Sequence, residues 1–131
     1  MKVSTKTQYG LRAMIFLAKF GKKTTPLSLR EISKKEGIPL DYLEKIMTKL
    51  KNGNLIKSKK GLKGGYFLKK TPENIKVLEI VEVLEGKPKF AKCFESFCQK
   101  SKNCKAKILW NKLQRSINLT LSSITLKDLI K

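Results

Sequence analysis

At 131 residues and 40% hydrophobic, the chain is long enough for one domain with a true core and too apolar for wholesale disorder. It has no histidine, which excludes His-based catalytic triads, His-ligated zinc and His-based pH switches. Thirty Lys and Arg against ten Asp and Glu give a formal charge of +20; residues 1–70 carry 18 basic and 4 acidic side chains (+14), the rest 12 and 6 (+6), so the excess lies in the first half, where a polyanion would bind.

The N-terminal stretch has an apolar patch at Ala13–Ala18, interleaved charges and no small-residue cleavage site. It reads as an amphipathic helix and not as a signal peptide. No apolar run approaches the roughly 20 residues that cross a bilayer. A cytoplasmic protein with no membrane partner is expected. The first helix spans 6–21, with Tyr9, Ala13, Phe16, Leu17 and Phe20 at spacings of three and four and Gly21 as its stop. Ser28 stands three residues before Glu31, the capping-box spacing, and opens a short helix with Leu29, Ile32 and Ser33 inward. Gly37 ends it, and Pro39 suits the first turn of the next helix.

That next helix, Pro39–Lys51, buries Leu40, Leu43, Ile46, Met47 and Leu50 and presents Asp41, Tyr42, Glu44, Lys45, Thr48, Lys49 and Lys51. Strands are expected at Leu55–Ser58 and Tyr66–Lys69, joined by a basic, glycine-rich tip, Lys59–Gly65. Lys59, Lys60 and Lys63 bring charge to this tip, and glycines such as Gly64 let its backbone approach a phosphate. Two short helices around a Gly–Ile–Pro break, followed by such a hairpin, have the layout of a winged helix-turn-helix, which sets one helix in the major groove. A helix from Thr71–Pro72–Glu73 to Gly86 follows, with Ile75, Val77, Leu78, Ile80, Val81 and Leu84 as its apolar set. A last amphipathic helix runs from Lys105 to Ser122, its stripe Ile108, Leu109, Leu113, Ile117 and Leu121 flanked by Trp110. Such a stripe needs a partner: a second copy, or the first helix of its own chain.

The expected fold class is mainly α with a small β-hairpin wing, a winged helix-turn-helix plus a long C-terminal dimerisation helix. Residues 1–86 would form the DNA-binding domain, 87–104 a cysteine-bearing sensor loop, and 105–131 the dimerisation helix and tail. The candidate contacts to double-stranded DNA are Ser28, Pro39, Leu40, Asp41, Tyr42, Glu44, Lys45, Lys49, Lys59, Lys60, Lys63 and Gly64. An RNA-binding module would share the charge but has no need of a dimer helix. An enzyme is not expected, since paired carboxylates and Cys-x-x-Cys are both missing.

Cys93, Cys98 and Cys104 are spaced C-x4-C-x5-C among Lys92, Lys100, Lys102 and Lys105. An odd count is unlike a secreted disulfide scaffold. Thiolates in a lysine-rich loop ahead of a helix suit iron–sulfur ligation. A zinc site, a thiol switch and three unliganded cysteines are the other readings.

The segments MKVSTKTQYGLRAM, DYLEKIMTKLKNGNLIKSKKGLKGGYFL, the three cysteines, LWNKL and ITLKDLI together resemble the Rrf-two family of bacterial winged-helix regulators, over nearly the whole chain. The resemblance implies a homodimer on a palindromic operator. It also implies groove-facing roles for Asp41, Tyr42, Glu44 and Lys45, with Lys60 at the position of a wing arginine that enters the minor groove. Cluster-binding members carry three cysteines in this loop, so a 2Fe–2S or 4Fe–4S cluster on Cys93, Cys98 and Cys104 is implied. The fourth ligand departs from the family pattern. Members with a His three residues after the last cysteine are matched here by Lys107, and members with an N-terminal Asp by Gln8. Glu95 or a small-molecule thiol are alternatives.

Overall fold

The computed structural model describes residues 2–87, 89 and 104–131. Five α-helices among these residues are α1 (Thr5–Phe20), α2 (Leu29–Glu36), α3 (Leu40–Asn52), α4 (Val77–Glu85) and α5 (Ala106–Ser123). Strands β1 (Ile56–Lys59) and β2 (Gly65–Leu68) form one antiparallel hairpin, and short 3-10 turns span Pro72–Asn74 and Leu126–Leu129. This is the mainly helical winged helix-turn-helix read from the sequence.

Helix α1 starts where the Ser4 side chain accepts from the Thr7 N–H at 3.2 Å, satisfying one of the orphan donors of a helix start. Its buried stripe is Thr7, Gly10, Ala13, Met14 and Leu17. Of the expected stripe, Ala13 and Leu17 are buried, but it is rotated at its aromatics: Phe20 is 59% exposed, and Tyr9 and Phe16 are only half-buried. Size explains the rotation. A Cβ on Gly10 would lie 2.2 Å from Leu84 Cδ1, so the small residues mark where α4 comes closest and the aromatics are displaced to the flanks.

The core joins this stripe to Ile32 of α2, Ile38 of the turn, Leu43, Ile46, Met47 and Leu50 of α3, Leu55 and Ile56, and Ile80 and Leu84 of α4, all essentially inaccessible. The helix expected from Thr71 is two pieces. After Pro72–Asn74 the chain is extended, and α4 starts only at Val77. Residues 75–77 pair instead with the C-terminal tail: the Val77 N–H donates to the Ile124 carbonyl and the Leu126 N–H to the Ile75 carbonyl, both at 2.9 Å, around a Lys76–Thr125 bridge. Leu126 is fully buried in the core. No local periodicity reports a partner fifty residues away.

The hairpin pairs Ile56 with Leu68, Lys57 with Phe67, Ser58 with Tyr66 and Lys59 with Gly65, one residue away from each expected strand boundary. Leu27 joins β2 as a third, single-residue rung, with the Tyr66 N–H donating to the Leu27 carbonyl at 2.7 Å and the Leu27 N–H to the Tyr66 carbonyl at 3.0 Å. The wing is thereby fastened to the residue that precedes α2. No helix among the described residues is long and apolar enough to cross a membrane.

Candidate nucleic-acid interface

The start of α2 and its turn into α3 are set by three residues. Ser28 caps α2: its hydroxyl accepts from the Glu31 N–H at 3.1 Å and donates to Glu31 Oε1 at 3.2 Å. This uses the expected spacing, with the Glu31 carboxylate on the hydroxyl rather than on the Ser28 backbone. Gly37 is left-handed at φ 65°, the conformation glycine enters without a Cβ penalty. Pro39 is the N-cap of α3 and not its first turn, and the helix runs to Asn52 instead of Lys51. Leu40, expected in the core, is half-buried beside it.

The outer face of α3 carries Asp41, Tyr42, Glu44, Lys45, Thr48 and Lys49, all exposed, against buried Leu43, Ile46, Met47 and Leu50. Thr48 spends its hydroxyl on the Glu44 carbonyl at 2.9 Å. Asp41, Glu44, Lys45 and Lys49 form no ion pair with a described residue, so their charges stay open to a partner. At the wing tip Lys59, Lys60 and Lys63 are exposed. Leu62 between them is 108% exposed, a residue that charge-based reading passes over. Gly64 makes the turn possible, because a Cβ there would lie 2.1 Å from the Lys59 carbonyl oxygen.

Helix α1 supports this face in a way the sequence does not advertise. Tyr9 and Tyr42 meet edge to face at 5.7 Å, and Arg12 stacks over Tyr9 at 5.7 Å while its Nε donates to Glu36 Oε1 at 3.3 Å. At the start of α1, Glu85 Oε1 accepts from the Ser4 N–H at 2.8 Å and the Thr7 hydroxyl at 2.9 Å. These bonds, those of Ser4 foremost, hold the Glu85 carboxyl below its ordinary pKa.

Of the cysteines, Cys104 is described: a half-buried free thiol two residues before α5. Cys93, Cys98 and Glu95 lie outside the described residues, as does most of the expected 87–104 loop. Lys107 is half-buried in the first turn of α5. The Gln8 amide donates to the Val3 carbonyl at 2.9 Å and so is engaged within its own helix start. The chemistry of three thiolates fits a cluster at three positions; Lys107 and Gln8 supply no good iron ligand for a fourth.

A family model described as "Rrf2: Iron-dependent Transcriptional regulator" matches residues 3–131. The chain belongs to the Rrf2 family. Rrf2 proteins are DNA-binding transcriptional regulators, not enzymes. The HTH-type transcriptional regulator IscR of Klebsiella pneumoniae (strain 342) is 31% identical over 131 residues, 99% of this chain and 80% of that protein. Among solved structures, T. potens IscR is 40% identical with a TM-score of 0.80, covering 99% of this chain and 86% of that one. CymR, the global cysteine regulator of B. subtilis, is 35% identical with a TM-score of 0.81, covering 99% and 96%. This Rrf2 chain is thus similar along its length both to IscR proteins and to CymR.

Proposed function

We propose that this Rrf2 regulator binds a palindromic operator as a homodimer, with α3 in the major groove and the wing tip at the adjacent minor groove. The observation that carries this reading is the α3 face: charged side chains with no intramolecular ion partner among the described residues, on a helix whose other side is locked into the core. Asp41, Tyr42, Glu44 and Lys45 would meet base edges, and Lys49, Lys59 and Lys63 phosphates. Ser28, Pro39, Leu40 and Gly64 would set the backbone approach. Lys60 would enter the minor groove, where lysine is costlier to desolvate than arginine. Helix α5 supports the dimer: none of its residues is fully buried among the described residues, and Ile108, Leu109 and Leu119 are 71%, 52% and 62% exposed. Selection of duplexes from a random library, followed by footprinting, tests the reading. Two protected half-sites about one helical turn apart are expected; binding to structured RNA in preference to duplex, or a single half-site, would overturn it.

Cys93, Cys98 and Cys104 would hold an iron–sulfur cluster, which supplies a redox-sensitive and oxygen-sensitive group next to α5. With neither Lys107 nor Gln8 a fitting ligand, the fourth position would be exchangeable and the cluster labile, as suits a sensor. Protein purified without oxygen should be coloured and contain iron, and Cys104→Ser should lose both. Colourless, iron-free protein would favour a second reading: a cluster-free thiol regulator. Two observations support that second reading, the misfit at the fourth ligand and the similarity to CymR.

A further inference from the structure

The hairpin ends in a turn whose apolar side chain has no role in the contacts named so far. Leu62 is 108% exposed, so it touches almost nothing of its own chain. A lone exposed leucine is ordinary on a protein surface; the seat of this one is not. It stands at the tip of a segment, Ile56 to Leu68, whose charged residues are Lys57, Lys59, Lys60 and Lys63, with no acid among them. The turn that carries it is fixed. Gly61 has a φ of 114°, which glycine adopts without a Cβ penalty. The Gly64 N–H donates to the Gly61 carbonyl at 3.0 Å, and the strands behind are paired from Lys59–Gly65 to Ile56–Leu68. The Leu27 rung ties β2 to the residue before the Ser28 cap of α2, so the backbone sets where Leu62 stands relative to the helix-turn-helix.

We propose that Leu62 is an apolar wedge that enters the minor groove with Lys60 and inserts at one base step, while Lys59 and Lys63 hold the phosphate rows on either side. The wedge rests on the DNA-binding reading given above and adds to it what the wing selects. Duplex DNA fits both halves of this tip: two rows of phosphates for the ammoniums, and between them sugar and base surfaces for an isobutyl group. A leucine side chain neither donates nor accepts a hydrogen bond, so it reads no base edge. Its gain on burial is of the same order as the cost of unstacking one step. Insertion therefore goes forward where the step opens cheaply, at a pyrimidine–purine step. The wing selects deformability at a fixed distance from the bases that α3 meets.

The test compares the duplexes that wild-type and Leu62→Ser proteins select from a random library. Wild type should enrich a TA or CA step at one fixed position in each half-site, outside the sequence that α3 reads. Leu62→Ser should keep the α3 sequence and lose that step. By fluorescence anisotropy it should bind the wild-type duplex about tenfold more weakly, and energy transfer between the duplex ends should report a smaller bend. The log–log salt slope should stay the same, since no phosphate contact is removed, and so should the melting temperature of the free protein. Three results would overturn the wedge: the same step preference in both proteins, a salt slope lower by roughly the 0.9 of one phosphate, or a fall in melting temperature that accompanies the loss of affinity. If wild-type protein selects no duplex at all, the DNA-binding reading itself fails, an outcome distinct from these three.

Discussion

Gly64 illustrates how one missing side chain shapes the proposed DNA contact at the wing tip. A Cβ there would meet the Lys59 carbonyl oxygen at 2.1 Å, so Gly64→Ala must open the turn and splay Lys60, Leu62 and Lys63. The tip of the hairpin is outside the main core, so helical content should stay within a few per cent. Duplex affinity should fall about tenfold, or roughly 1.4 kcal/mol, by anisotropy; unchanged affinity would mean that the tip does not touch DNA. At this scale the sequence was informative where chemistry is local. The Ser28–Glu31 spacing, the turn glycine Gly37 and the lysines of the tip can all be read from neighbours within five residues. Gly10 could not be. Its value lies in the approach of Leu84, and a lone glycine in a helical pattern carries no mark of what packs on it. Tyr9 was legible as apolar but not as the ring that holds Tyr42.

Between elements, two joints decide how the recognition helix is carried. The first is Glu85, which ties the end of α4 to the start of α1. Its folded pKa lies below the ordinary carboxylate value, so its stabilisation is present above that ordinary value of about 4.3 and is lost as pH falls through the lower, folded value. Glu85→Gln should therefore lower stability at pH 7 by about 0.5 kcal/mol, a figure discounted for an exposed carboxylate. The gap between wild type and variant should close as the pH drops through the carboxylate range, in thermal melts at each pH. The second joint is Leu126, fully buried between elements that precede it by fifty residues or more. Leu126→Ala should cost about 2–5 kcal/mol in urea unfolding; a loss below 1 kcal/mol would mean that the tail is not part of the cooperative unit. Helix periodicity located α3 and α5 to within a residue or two. It missed the break at Ile75–Lys76, because what stops that helix is a strand-like pairing with the tail and not a Gly or Pro.

For the molecule as a whole, charge and apolar exposure divide the surface in two. The basic excess is densest at the wing, where Lys57, Lys59, Lys60 and Lys63 have no acidic neighbour in the hairpin, whereas the exposed apolar side chains of α5 lie near the other end of the chain. Leu109→Glu should shift the protein to a monomer in sedimentation equilibrium and weaken operator binding at least tenfold, since half the contacts are lost; a dimer that persists would place the seam elsewhere. The sequence made the outline legible, since layout, charge and family resemblance agree, but the cysteine site depends on atoms beyond the described residues and on a ligand with no matching side chain. The tail has one more consequence. Helix α5 has 18 residues, about 27 Å at 1.5 Å per residue, with Cys104 just before one end and the Leu126 plug just after the other. It is a lever with its fulcrum in the core of the DNA-binding unit. If α5 tilted rigidly by about 5° at that fulcrum, the cysteine end would travel roughly 2 Å over its length, and a rearrangement around Cys104 would then load the Ile75–Val77 pairing with the tail.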